Sequence, residues 1–201
     1  MASSVIPAGG AAVARSRIEE SLAAHRALLD GGIPDGIAML ADLIVASLRD
    51  GGKVILFGNG GSAADATHLA AEFVGRFRID RSPLPALSLS DNGSSVSGIG
   101  NDYGYDDVFA RQMAALGSPG DVAIGISTSG SSANVIEGMR AGRAGGLRTV
   151  ALTGAAGGRL DAEAEHCLRM PTAETARVQE CYMLVGHLLC ELVERTIFGE
   201  R

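Results

Sequence analysis

The chain has no Trp, three Tyr and five Phe among 201 residues. With aromatic side chains at 4% of the sequence, the core has to be filled by aliphatic side chains and alanine. Cysteine is scarce as well: Cys167, Cys181 and Cys190 show no C-x-x-C spacing. An odd count without metal-type spacing argues against a disulfide framework and for reduced thiols in a cytoplasm. Positive charge is short too. Lys and Arg number 17 against 23 Asp and Glu, for a net charge of −6, which leaves no basic footprint for nucleic acid. No apolar run reaches the roughly 18 residues of a membrane span; the longest candidate, residues 182–190, contains His187 and is followed by Glu191. Residues 1–15 lack the basic and apolar regions of a secretion signal. They read as part of a flexible tail over 1–16, ahead of one domain over 17–201.

What the chain does have is glycine, 28 residues of it, set between alternating apolar runs and helical patterns. Helices are expected over 18–29 and 37–48, with Ile33-Pro34-Asp35 as the break between them. Strands are expected over 53–57, 86–89, 122–126, 149–152 and 167–170. Helices are expected over 62–77, 94–98, 106–116, 133–144 and 159–164, and a long closing helix over 175–197. This alternation predicts an α/β fold, an open parallel sheet flanked by helices. In such sheets ligands sit at the C-terminal ends of the strands.

Two strand ends stand out. The run Val54-Ile55-Leu56-Phe57 stops at Gly58-Asn59-Gly60-Gly61-Ser62, where a helical pattern begins. A strand delivered into a glycine turn offers backbone N–H groups and a helix N-terminus to an anion. Gly58-x-Gly60-x-x-Ala63 also fits a relaxed dinucleotide fingerprint. That reading wants an acidic residue about 20 residues on, at a strand end; Asp91 is too far, and Asp80 has no strand before it. The second strand end is Ser127-Thr128-Ser129-Gly130-Ser131-Ser132, hydroxyls around a glycine just before a helix. It fits a phosphate without a lysine, or simply a capped turn. Two such cradles in one sheet favour a phosphorylated small molecule.

Four histidines are available. His25 lies in a polar helix and reads as surface, and His166 precedes a strand. His68 and Glu72 stand four apart and share a helix face, as a salt link or as a metal or catalytic pair. His187 sits in the apolar stretch Leu184-Val185-Gly186-His187-Leu188-Leu189, with Gln179 two turns earlier.

At this point the chain resembles the phosphoheptose isomerases of the sugar isomerase (SIS) fold. Four motifs in order carry the resemblance: Gly58-Asn59-Gly60-Gly61-Ser62-Ala63-Ala64-Asp65 with His68 and Glu72; Gly100-Asn101-Asp102-Tyr103-Gly104-Tyr105; Ser127-Thr128-Ser129-Gly130 with Ser132; and Val178-Gln179-Glu180 with His187. It covers about residues 18–199. The resemblance implies a flavodoxin-like sheet and interconversion of sedoheptulose 7-phosphate and glycero-manno-heptose 7-phosphate. It implies one Zn2+ per subunit on His68, Glu72, Gln179 and His187. Substrate contacts map onto Asn59, Gly60, Gly61, Ser62, Glu72, Asn101, Asp102, Ser127, Thr128, Ser129, Ser132 and Gln179. A cytoplasmic homotetramer is implied, with the long closing helix packed in the oligomer. One departure is Tyr182, where many members carry His; it is expected to stand behind the site. The competing class is a non-catalytic SIS protein serving a regulatory partner. Such relatives are expected to lose the acid/base and metal residues, which this chain retains.

Moving a proton between adjacent carbons through an enediolate needs a carbon base, a second group at the oxygens and an electrophile. Glu72 is the expected base and His187 its partner, with Glu72 as ligand, base or both left open. Gln179 and His187 are eight residues apart, about 12 Å of helix rise, against metal bonds of about 2 Å. Their convergence on one ion is expected to require different subunits, with active sites at subunit interfaces.

Overall fold

The aliphatic runs become strands, and their alternation decides which layer each side chain enters. The computed structural model describes residues 9–199. Helices α1 (Gly10–Ala27) and α2 (Ile33–Arg49) precede a βα series. It runs β1 (Val54–Gly58), α3 (Gly61–Val74), β2 (Ala86–Ser88), α4 (Gly93–Asp102), a 3-10 turn (Tyr105–Asp107) and α5 (Val108–Leu116). Then come β3 (Val122–Ser127), α6 (Ala133–Ala144), β4 (Arg148–Thr153), α7 (Gly158–Glu163), β5 (His166–Arg169) and α8 (Thr175–Phe198). Among the described residues the five strands form one parallel sheet in the order β2-β1-β3-β4-β5. This is the flavodoxin-like order, and its switch point lies between β1 and β3.

Strands β1 and β3 are buried along their whole length, as a parallel sheet covered on both faces requires. Val54 and Leu56 join Ile124, Ile126 and Leu152 in a core with α2, α3 and α8. Ile55 and Phe57 point the other way and join Phe109, Met113, Val135 and Met139 of α5 and α6. The cysteines fit the core reading: Cys181 and Cys190 are buried, and burial pushes the Cys190 thiol up to about 12.

Several boundaries differ from expectation for identifiable reasons. α1 begins at Gly10, eight residues ahead of Ile18, because Ala11, Ala12 and Ala14 are strong helix formers. Residues 10–16 of the expected tail are therefore helical, and residues 1–8 lie outside the described residues. Ile33-Pro34-Asp35 starts α2 rather than separating two helices; proline in a first turn loses no hydrogen bond. The helix expected over 62–77 stops at Val74, since the N–H groups of Phe77, Arg78 and Ile79 donate to Glu194 instead.

α3 and α8 lie side by side and run the same way. Gln179 meets Gly61 at one end, Gly186 leaves room for Leu69 in the middle, and Glu194 receives residues 77–79 at the other. This pairing positions the candidate site.

Candidate active site

At the switch point the glycine turn and the serine loop come together. Gly60 has φ +55°, and the space a side chain at Gly61 would occupy is filled by the Gln179 amide. The serine loop is held as tightly. Gly130 has φ +61° and lies against the backbone of Gly157 and Gly158, so a Cβ there has no room. Its carbonyl accepts from Leu160 N–H at 2.8 Å. Ser127 and Ser132 hydroxyls share a hydrogen bond at 3.1 Å, and Ser131 N–H donates to Ser129 Oγ. Thr128 is half-buried and Ser129 exposed. Ser62 is buried behind the glycine turn. At the exposed end of α4, Asn101 Nδ2 donates to Asp102 Oδ1 at 2.8 Å.

Asn59 joins these parts. Its amide pairs reciprocally with that of Asn134, at 2.8 and 2.9 Å, and its Oδ1 also accepts from the Tyr105 hydroxyl at 3.0 Å. Sequence reasoning did not single out Asn134, and quoted Tyr105 only within a motif. An Asn at the start of a helix carries no signal that it will face another strand's turn.

The second cluster sits two turns further along the α3–α8 seam. His68 Nε2 faces His187 Nε2 at 3.0 Å, and Glu72 Oε1 lies 3.4 Å from His68 Nε2. Phe77 stacks on the His187 ring, centroids 5.2 Å apart and planes 25° apart. A buried ion pair holds this end. Arg81 and Glu194 side chains are each 2% exposed and 2.8 Å apart, and Arg81 also donates to the carbonyls of Glu72 and Phe73. Burial raises the Glu194 carboxyl, but the N–H groups of residues 77–79 and the Arg81 guanidinium outweigh it, so the group sits below its ordinary value.

The donor set fits a metal. Two imidazole nitrogens facing each other need either a shared proton or a cation. One atom each of His68, Glu72 and His187 lies within 4.8 Å of the others. Two imidazoles and a carboxylate suit zinc. Gln179 stands apart within one chain, at Gly61, about 12 Å of helix rise before His187.

Tyr182 is fully buried and donates to Leu152 O at 3.0 Å; burial pushes its phenol well up. It stands under the sheet rather than in the site. Asp65, one turn before His68, is pushed up to about 6 by burial, against the pull of His68. Its Oδ2 is buried with no hydrogen-bond partner among the described residues.

A parallel sheet with hydroxyl and glycine cradles at its switch point, and a His/Glu cluster beside it, defines a class of sugar-phosphate proteins. The SIS domain family model matches residues 20–154, and the chain belongs to that family. Within it the chain falls among the phosphoheptose isomerases, isomerases of sugar phosphates. The phosphoheptose isomerase of Roseiflexus sp. is 53% identical over 91% of this chain and 92% of its own length. The structure of phosphoheptose isomerase from Neisseria gonorrhoeae is similar at TM-score 0.85 and 39% identity, covering 90% of this chain and 96% of that one. The one from Francisella tularensis is similar at TM-score 0.87 and 34% identity, with the same coverage. Among the described residues no helix is long and apolar enough to cross a membrane.

Proposed function

We propose that the chain interconverts sedoheptulose 7-phosphate and D-glycero-D-manno-heptose 7-phosphate through an enediolate, in heptose biosynthesis. The observation that carries this reading is the retained His68, Glu72 and His187 cluster beside intact cradles, in a chain 53% identical to a phosphoheptose isomerase. A regulatory SIS protein is expected to lose such a cluster.

In this reading Ser127, Thr128, Ser129 and Ser132 hold the phosphate with hydroxyl and N–H donors. Asn59, Gly60, Gly61, Ser62, Asn101, Asp102 and Gln179 meet the sugar. Glu72 takes the proton from carbon, and His187 moves a proton at the neighbouring oxygen. His68, Glu72, Gln179 and His187 are the residues that would hold zinc, one ion per subunit, and the ion would supply a Lewis acid for the carbonyl; Glu72 serves as base only when its carboxylate is off the ion.

The working unit we infer is a cytoplasmic homotetramer with sites between subunits. Two observations support it. Val13, Ile18, Leu22 and Leu29 of the α1 region are 59–75% exposed, so a single chain leaves an apolar surface uncovered. The cradle and the His/Glu cluster also stand roughly 10 Å apart along α3 within one chain, seven residues from Gly61 to His68.

The test is an assay of heptose 7-phosphate formation from sedoheptulose 7-phosphate, with and without a chelator. Turnover that a chelator removes and Zn2+ restores supports the reading; no product from zinc-loaded protein overturns it in favour of a binding protein. The interface is tested separately by co-expressing Gln179→Ala and His68→Ala chains. Partial recovery of activity in the mixed oligomer is expected, and none is expected if all ligands of one site come from one chain.

A further inference from the structure

We propose that Asn134 and Tyr105 are positioning residues that fix the direction of the Asn59 amide, so that Asn59 meets its ligand as a hydrogen-bond donor. The proposal rests on the sugar-phosphate reading for its ligand, and on geometry alone for the latch.

A primary amide has two acceptor sites on Oδ1 and two N–H groups on Nδ2. In Asn59 both acceptor sites are taken: Asn134 Nδ2 donates to Oδ1 at 2.9 Å and the Tyr105 hydroxyl at 3.0 Å. One of its two N–H groups goes to Asn134 Oδ1 at 2.8 Å. What remains is a single N–H at the rim of the switch point. Asn134 is 3% exposed, fixed on the first turn of α6, so the pair has a rigid side.

The amide pair alone does not choose a direction. Turning both amides over together preserves both of their mutual hydrogen bonds and would leave Asn59 offering an acceptor. Tyr105 breaks that symmetry, because a phenol donates more readily than it accepts. Its hydroxyl holds Oδ1 towards the 3-10 turn, and the second N–H of Nδ2 is then the group Asn59 has left to offer. The ligand group at Asn59 is therefore an acceptor, a phosphate or sugar oxygen. The latch also ties three separate segments together: the β1 turn, the turn after Asn101 and Asp102, and the first turn of α6. Tyr105 is 57% exposed, so its hydroxyl is held by this hydrogen bond rather than by burial.

Tyr105→Phe removes only the hydroxyl at an exposed site. The expected result is a KM for sedoheptulose 7-phosphate raised about 3- to 10-fold, the range of one lost hydrogen bond. The kcat should stay within about twofold and the urea midpoint unchanged. Asn134→Ala is expected to raise KM more, because it frees both faces of the amide. A second readout does not need turnover: the side-chain amide signals of Asn59 in 15N–1H spectra. In the parent they should be well dispersed and slow to exchange, and in Tyr105→Phe they should shift and exchange faster. Unchanged KM with unmoved amide signals overturns the proposal, as does a fall in kcat or stability that accounts for the whole loss. If the parent chain turns over no sedoheptulose 7-phosphate, the isomerase reading fails, and the amide signals alone decide the latch.

Discussion

At the switch point polar groups are held by backbone and by one another, whereas on the α3–α8 seam they are held by neighbouring side chains and left half open. The cradle consists of a glycine turn, a hydroxyl loop packed against Gly157 and Gly158, and the Asn59–Asn134 pair. Each part is complete within one chain. The seam cluster consists of His68, Glu72 and His187, with His68 about half exposed and the fourth expected ligand two turns away. The contrast matches the division of labour in the proposed reaction. Binding a phosphate needs fixed donors, whereas proton transfer needs groups that change partners.

The largest expected effect falls on the seam. Glu72→Gln should lower turnover by about 10^2- to 10^4-fold, the usual loss for a general base, while calorimetry still detects sugar-phosphate binding. Turnover at the parent rate would remove Glu72 from its role.

The frame behind the seam comes next. Glu194→Gln takes one partner from a buried ion pair and weakens the hold on residues 77–79, and should cost roughly 3–5 kcal/mol in urea unfolding. The same pair sets acid sensitivity. Because the Glu194 carboxyl is held below its ordinary value, its stabilisation is full above that ordinary value and is lost as pH falls through the depressed one. The variant should therefore lose part of the parent's acid-induced destabilisation; identical acid dependence would contradict the account.

A smaller effect is expected in the cradle. Ser132→Ala breaks the 3.1 Å hydroxyl pair with Ser127 and should raise KM about tenfold at most, near 1 kcal/mol for one hydrogen bond, with kcat nearly unchanged. A larger loss in kcat than in KM would place Ser132 on the seam's side of the comparison.

A pH-dependent effect is expected at Asp65, which lies on α3 between the two regions. Its carboxyl is pushed up to about 6 by burial, so the folded chain keeps a proton that the unfolded chain has released. Stability from this group is highest below about pH 4 and falls as pH rises to about 6. Asp65→Asn should therefore show a higher urea midpoint than the parent at pH 7 and none of that advantage at pH 4. Equal midpoints at both values would show that the group is solvated in solution.

Much of the fold was readable because it rests on local rules. The helix expected over 133–144 is α6, Ala133–Ala144, bounded by Ser132 before it and Gly145 after it. The strand expected over 122–126 is β3 with one residue added. Where local rules compete, the boundaries moved: alanines extended α1, Pro34 entered a first turn, and Glu194 drew residues 77–79 out of α3. The site divides the same way. Both cradles were legible as glycines and hydroxyls at strand ends. Asn134 and Tyr105 were not, since their partner is 75 residues away in one case and 46 in the other.

By itself the sequence determined the alternation of strands and helices, the two cradles at strand ends and the pairing of His68 with Glu72. All of these depend on neighbours within a few residues. Only the tertiary structure decided the rest. The parallel packing of α3 on α8 brings His187 to His68, 119 residues apart in the chain, and leaves Gln179 at the glycine turn. The β1–β3 switch point brings Asn134 to Asn59. Contacts of that range follow from how layers pack over a sheet, and a local pattern does not contain that information.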